Sequence, residues 1–364
     1  MHQPAARDDA GHRTATGPAS VTVAQLAEFD EIIDVRSEGE FAEDHIPGAI
    51  NCPVLDDAER VRVGTIYKQV SSFEAKKIGA ALVSRNIARH IEDRFLDRPR
   101  SWRPLVYCWR GGTRSGAFAQ VLQQIGWRVG RLEGGYKAYR REVIADLQTL
   151  PARLRWRAVC GLTGCGKSRL LAALAGLGAQ VLDLEGLAAH RGSVLGTLPD
   201  APQPTQKMFE TLIWNVLRGF SPARPAYVEA ESRKIGDLRV PESLIACMWQ
   251  SECVRLEAGV GVRIALLKQE YTHFLDDPQA LMARLEILAG LYGHAVIHRW
   301  KMLARAGRWD ELVEDLLGTH YDPAYTRSTL KHYPRYAQAL VLKLEHTGDD
   351  AFAALARRCL GRDG

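Results

Sequence analysis

Cysteine is scarce in this chain of 364 residues: there are seven, at Cys52, Cys108, Cys160, Cys165, Cys247, Cys253 and Cys359. The count is odd and no two form a CxxC pair, which argues against a disulfide framework. No Cys/His quartet has ligand spacing, so no metal site is expected on those residue types. Long apolar runs are lacking too. The longest, residues 170–182, is short and rich in small side chains, so no membrane span or membrane contact is expected. Residues 1–20 hold Pro, Asp, Arg and Gly without an apolar block, which leaves no signal peptide to read. We expect residues 1–19 to form a disordered tail and the protein to be cytoplasmic. Internal repeats are absent. The net charge of +5 is compatible with a polyanionic partner but does not demand one. Hydrophobic content of 46% and charged content of 25% are ordinary for a soluble globular protein, and the length suits two domains with a third element.

What is present is a pair of anion-handling loops. The first, CWRGGTRS at residues 108–115, follows the apolar run PLVYC and leads into a helical pattern with Phe118, Val121, Leu122 and Ile125 on one side. In that geometry backbone N–H groups converge on the Cys108 sulfur. The helix N-terminus adds partial positive charge, and Arg110 and Arg114 add full charges, all favouring thiolate. Gly111, Gly112, Thr113 and Ser115 complete a cradle fit for a persulfide, a selenyl sulfide or an oxyanion. The plain alternative is a strand-end cysteine that packs as a small hydrophobe. The glycines and arginines that follow weigh against it.

The second loop, GLTGCGKS at residues 161–168, fits G-x-x-x-x-G-K-[ST] at every fixed position. Gly161, Gly164 and Gly166 let the backbone bend close to phosphate oxygens, Lys167 supplies a cation, and Ser168 can ligate magnesium. Cys165 inside the loop reads as a small filler residue. A typical nucleoside triphosphatase has an apolar strand ending in Asp where this chain has AYVEAES, so the acidic partner is less plain. Asp183, Glu229 and Glu231 are the candidate magnesium ligands, with Glu185 beside Asp183; the same carboxylates could equally pair with Arg233 or Lys234. His190 and Arg191 follow the second strand of this unit, a position beside the phosphate site in doubly wound sheets, and either contact substrate or lie in a surface loop.

Strand patterns at residues 31–35, 45–54, 104–108, 127–132, 155–160, 180–184, 226–230 and 262–267 alternate with helical stretches, notably 67–95. That alternation predicts parallel sheets covered by helices, an α/β fold. Residues 147–155, with Pro151 and several charges, read as a linker. From about residue 276 the pattern is helical to the end.

IIDVRSEGEFAEDHIPGAINCP, the strand ending in Cys108, and RLEGGYKAYR resemble a rhodanese domain over residues 20–148. In that family the loop cysteine carries sulfur as a persulfide. The usual loop puts its arginine five positions after the cysteine; here Arg114 stands six after Cys108. The pocket should then be one residue wider, and the spacing is also that of tyrosine phosphatases. Taken with GLTGCGKS, the segments YKQVSSFEAKKIGAALVSRNIARHIE, DLEGLAAHRGSVLG, VEAESRKIG and HYDPAY resemble the tRNA 2-selenouridine synthases.

The resemblance implies a rhodanese-like domain, a P-loop parallel-sheet domain over 149–275 and a helical region over 276–364. It implies a transferase acting on wobble 5-substituted 2-thiouridine in the anticodon arm of tRNA. Geranyl diphosphate would first alkylate the 2-sulfur; selenium from selenophosphate would then replace the geranylated sulfur. Cys108 would accept the selenium and hand it to C2 of the uracil. The phosphate loop would hold geranyl diphosphate, though selenophosphate could also occupy it, and a selenophosphate-producing enzyme would be a partner. Candidate tRNA contacts are Arg153, Arg155 and Arg157, Arg85 and Arg89, and Arg327, Lys331 and Arg335 with Tyr333 and Tyr336, since arginine among aromatics suits stacking on unpaired bases. Two other readings stay open. One is a cysteine phosphatase or sulfurtransferase coupled to a nucleotide-binding module; the other is an inert rhodanese fold that docks a P-loop kinase.

Overall fold

The computed structural model describes residues 18–199 and 201–361. The tail expected over residues 1–19 therefore lies outside the described residues except for its last two, and Ala19 already opens a strand. The chain divides into two compact units that meet between Glu142 and Val143.

The first unit holds five parallel strands, β1 (Ala19–Val21), β2 (Glu31–Asp34), β3 (Ile50–Asn51), β4 (Pro104–Tyr107) and β5 (Gly130–Leu132), in the order β1-β5-β4-β2-β3. Every residue of β4 is buried, which is why it reads as a continuous apolar run. Its helices are α1 (Glu38–Glu43), α2 (Asp57–Gln69), α3 (Ser72–Arg94), α4 (Thr113–Ile125) and the first turns of α5 (Gly135–Arg153), which runs on into the second unit. Phe95, Val106, Phe118 and Leu122 fill the core between sheet and helices.

The helix read over residues 67–95 is two. Ser71 accepts from the amides of Phe73 and Glu74 at 3.2 and 3.4 Å and starts α3 afresh. α2 buries no residue, so it leaves no periodic apolar trace. Its signal is local: Asp56 accepts from the Glu59 amide at 2.7 Å while Glu59 accepts from the Asp56 amide at 3.2 Å. The stretch read as a linker is likewise helical, since α5 runs through Arg153. Pro151 cannot donate to the carbonyl of Leu147 as a helix requires; the Ser243 hydroxyl donates to that carbonyl instead.

In the second unit β6 (Arg155–Cys160), β7 (Gln180–Leu182), β8 (Pro225–Glu229), β11 (Glu252–Ala258) and β12 (Leu340–Leu344) form a parallel sheet in the order β12-β11-β6-β8-β7. β9 (Lys234–Ile235) and β10 (Leu238–Arg239) make a small antiparallel hairpin. α6 (Lys167–Gly176), α7 (Leu184–Ala188), α8 (Gln206–Leu217), α9 (Glu242–Trp249) and α10 (Val260–Glu270) lie between the strands in sequence.

Two readings need correction here. Residues 262–267 belong to α10, and the strand is β11 just before them. A short apolar run does not separate strand from helix by periodicity. The last region is also not helical throughout. After α11 (Thr272–Asp276), α12 (Pro278–Leu285), α13 (Ala289–Tyr292), α14 (His294–Arg305), α15 (Trp309–Leu316) and α16 (Asp322–His332), the chain returns as β12, paired with β11, and ends in α17 (Asp349–Leu360). Leu342, Leu344, Phe352 and Leu355 share one core with Val159, Leu170 and Leu174. Leu281, Leu285, Ile297, Trp300 and Leu312 form a separate core among the intervening helices. Among the described residues no helix is long and apolar enough to cross a membrane.

Candidate active site: a cysteine loop and a phosphate loop

Cys108 stands at the C-terminal end of β4, where the chain leaves the sheet before α4. Its sulfur is 3.2 Å from the Ser115 hydroxyl, which also donates to the Gly112 carbonyl at 3.4 Å. That hydroxyl can turn its proton from the carbonyl to the sulfur when the sulfur carries charge. The residue is 3% exposed, yet it lines an open pocket with Trp109, Arg110, Gly112, Thr113 and Arg114.

The loop rests on the start of α5. The Tyr136 amide donates to the Cys108 carbonyl at 2.8 Å, and the Lys137 amide to that of Trp109 at 3.0 Å. Gly135 allows this approach: its φ is +58°, and a Cβ there would sit 2.2 Å from the Cys108 carbonyl oxygen. Beneath lies a buried network. Arg36 donates to Asp34 at 2.6 Å and to the Asp44 carbonyl at 2.6 Å, and Tyr136 donates to Asp44 at 2.7 Å. These bonds hold the floor of the loop in place, and within the network Asp44 Oδ1 alone is buried without a hydrogen-bond partner. Arg114 does not offer its whole charge to the sulfur. It pairs with Glu40 at 2.8 Å, and Glu40 also holds Arg60 at 3.1 Å. Burial pushes the Glu40 carboxyl up, but Arg114 and Arg60 outweigh it and hold the group below its ordinary value. Arg110 is exposed at the rim.

The phosphate loop joins β6 to α6. Gly164 and Gly166 have φ of +78° and +85°, and a Cβ on either would come within 2.7 Å of Leu267 or Phe352. A Cβ on Gly161 would meet the Cys165 sulfur at 2.5 Å. That sulfur is buried in the core, the place of a filler rather than a nucleophile. Lys167 donates to the Gly161 carbonyl at 3.0 Å and lies 3.4 Å from Glu229. The Gly161 amide donates to the Tyr325 oxygen at 2.8 Å. Arg263 donates to the Thr163 carbonyl at 2.9 Å and to Asp322 at 3.0 Å. The start of the loop is therefore clipped twice to the first turns of α16, directly to Tyr325 and through Arg263 to Asp322 of HYDPAY. The loop opens on a cavity of about 320 Å³.

On the cavity wall Ser168 lies 3.0 Å from Glu229 and 3.3 Å from Glu185. Glu185, Glu229 and Glu231 offer ligand oxygens within 4.8 Å of one another. Burial, reinforced by mutual repulsion, pushes the Glu231 carboxyl up to about 8 and that of Glu185 up to about 10. Three crowded carboxylates beside a phosphate loop suit a divalent cation held with Ser168. Asp183 stands outside this group because its carboxylate accepts from the Gly186 amide at 2.9 Å and caps α7; Glu185 takes the place expected for it.

These carboxylates fix a pH dependence. Native Glu231 keeps its proton in a range where the unfolded chain has lost it. The stability this confers is present below the ordinary glutamate value of 4.5 and is lost as pH rises through about 8. Melting without divalent cation should fall across that window. Magnesium binds the deprotonated carboxylates, so it should raise the melting temperature more at about pH 8 than at about pH 6. Thermal scans with magnesium or a chelator check this, and Glu231→Gln should flatten the difference.

Arg191 reaches the cavity wall and lies 3.8 Å from Glu270, whereas His190 is buried away from it. Tyr333 is buried in the same wall and is not available to stack on a free base. Arg327 and Lys331 are exposed on α16, the helix whose Tyr325, Ser328 and Thr329 line the cavity. Arg153 ends α5 and Arg155 opens β6, and the phosphate loop follows the other end of that strand. Arg157 is held by Glu252 and Tyr227, and Arg85 by Glu59. Arg89 and Arg335 are exposed, while Tyr336 faces Arg255. Arg263, Glu270 and Tyr271 were missed in the sequence; the one signal was an arginine inside the apolar run VRIALL.

Comparison with known proteins bears on both loops. Residues 154–290 match the family model described as the tRNA 2-selenouridine synthase AAA domain, and residues 21–142 match the rhodanese-like domain. Three curated relatives carry the name tRNA 2-selenouridine synthase. The protein of Hydrogenovibrio crunogenus is 39% identical over 66% of this chain and 67% of its own length. That of Nitrosomonas europaea is 35% identical over 66% and 63%, and that of Shewanella oneidensis 34% over 71% and 68%. The match thus spans about two thirds of each relative. Among solved structures, the N-terminal domain of a putative ATP/GTP binding protein from Clostridium difficile 630 is 38% identical, with 35% of this chain and 99% of that one covered, at a TM-score of 0.31. With a cysteine loop in its first unit, a phosphate loop in its second and these relatives, the chain belongs to the tRNA 2-selenouridine synthase family.

Proposed function

We propose that this protein converts 2-thiouridine at the tRNA wobble position to 2-selenouridine in two steps. In the first, the sulfur attacks C1 of geranyl diphosphate; an S–C bond forms, the C–O bond to diphosphate breaks, and the nucleobase loses its N3 proton. The leaving diphosphate gathers negative charge. Lys167 and the amides of the phosphate loop are placed to meet it. Glu185, Glu229, Glu231 and Ser168 would hold a magnesium ion, which would neutralise part of the same charge. In the second step selenophosphate enters the Cys108 loop and the Cys108 thiolate attacks its phosphorus. An S–P bond forms, the P–Se bond breaks, hydrogen selenide is released toward C2 at an unchanged oxidation level, and water then cleaves the S–P bond to give phosphate. The C2–Se bond forms as the C2–S bond breaks, and geranylthiol leaves. A selenophosphate-producing enzyme is the natural partner for this step.

One observation carries the reading: a chain of this family joins an intact, glycine-cradled cysteine to a phosphate loop whose lysine and serine are in place. The cysteine-phosphatase reading is weaker. A phosphatase needs a proton donor for its leaving group, and the residues lining the Cys108 pocket include no carboxylic acid. Incubation with thiolated tRNA, geranyl diphosphate and selenophosphate, each omitted in turn, tests the proposal by mass analysis of the wobble nucleoside. Without selenophosphate the geranylated nucleoside should accumulate; without geranyl diphosphate the thiolated one should persist. Full selenouridine yield in the absence of geranyl diphosphate would defeat the two-step scheme.

A further inference from the structure

The phosphate cavity has an apolar neighbour. Thr163, Ser193, Leu267, Tyr271 and Tyr321 line both it and a second pocket. Phe274, Leu281 and Leu312, each buried, belong to the wall of that second pocket and to the core of the helical region. Val313 and Trp309 of α15 also line it. Among the described residues of the wall Lys268 alone is charged, and its ammonium is engaged by Asp310 at 2.5 Å. An open hydrocarbon pocket beside an anion cradle is costly to leave in water and suits a ligand with a charged head and an apolar tail.

We propose that this pocket is the tail site for an isoprenoid diphosphate whose head lies in the phosphate loop, and that Val313 and Trp309 set the tail length it accepts. The choice of an isoprenoid tail rests on the function proposed above; the pairing of head and tail sites rests on the shared wall. Burying even part of a ten-carbon chain should make geranyl diphosphate bind about a hundredfold tighter than inorganic diphosphate.

Titration calorimetry with inorganic, geranyl and farnesyl diphosphate tests this on the full chain. Val313→Trp should weaken geranyl diphosphate at least about tenfold and leave inorganic diphosphate unchanged. Trp309→Ala should shift preference from the geranyl toward the longer farnesyl ester. Retained binding of inorganic diphosphate shows that each variant is folded. Equal wild-type affinity for inorganic and geranyl diphosphate overturns the tail site. So does a pair of variants that alters neither ratio. Tight geranyl binding without alkylation of thiolated tRNA would leave the tail site standing and sink the proposed function. Normal alkylation by an unaffected Val313→Trp would do the reverse.

Discussion

Replacing Cys108 with alanine should abolish selenouridine formation and leave geranylation of thiolated tRNA intact. The sulfur is the one nucleophile of its loop that can free selenium from the phosphorus of selenophosphate, and the surroundings are organised around it. Ser115 offers a hydroxyl at 3.2 Å, and the Cys108 carbonyl is pinned by Tyr136 at 2.8 Å. Alanine keeps the small apolar volume that the buried position needs, so the loop should persist while its chemistry is lost. The expected fall in selenium transfer is at least about a thousandfold, the scale seen when a nucleophile is removed. Geranylation should not move, because Lys167, Ser168 and the three glutamates all belong to the other unit. Mass analysis of wobble nucleosides should show the geranylated product accumulating. Normal selenouridine from the variant would remove Cys108 from the mechanism. Ser115→Ala should give a smaller loss, steepest where the sulfur must be charged, since it takes away a donor and not the nucleophile.

Both loops were legible in the sequence for the same reason: an anion cradle is made mainly by consecutive backbone amides, so its residues are neighbours in the chain. The glycines mark it because backbone with positive φ admits little else, as at Gly111, Gly164 and Gly166. What the sequence hid is assembled from distant segments. Glu185 displaced Asp183 from the acidic group because Asp183 has a local task at the start of α7, a choice that spacing could not reveal. β12 looked like part of a helical region because its partner, β11, lies more than eighty residues earlier in the chain. α2 escaped because a helix that buries nothing has no periodic signature. HYDPAY stood out as a motif, but its task appears only with α10 in place. Asp322 receives Arg263 and Tyr325 receives the Gly161 amide, so the motif supports the phosphate loop from outside it. The apolar pocket draws on Thr163, Ser193, Leu267 and Val313, and no window of sequence contains it.

Lys167→Ala should produce the reciprocal defect, a loss of geranylation with selenation preserved when tRNA is supplied already geranylated. In the free protein the ammonium donates to the Gly161 carbonyl and faces Glu229 at 3.4 Å. Buried among Glu185, Glu229 and Glu231, it is the cation that lets a diphosphate approach carboxylates at all. Its loss therefore acts twice. The departing diphosphate loses a partner that strengthens as its charge develops, and Glu229, left without its ion pair, repels the bound substrate. The first effect lowers kcat and the second raises KM, so kcat/KM for geranyl diphosphate should fall about a thousandfold or more, roughly 4 kcal/mol of transition-state stabilisation. Added magnesium should recover part of the KM term and little of kcat, because it can neutralise the glutamates without replacing a donor seated at the leaving oxygen. Single-turnover assays with thiolated and with geranylated tRNA separate the two steps. Unchanged turnover with geranyl diphosphate would take the phosphate loop out of the alkylation. Loss of both steps together would mean that the two loops are not chemically separable, since Cys108→Ala and Lys167→Ala must fail on opposite substrates if each loop serves its own reaction.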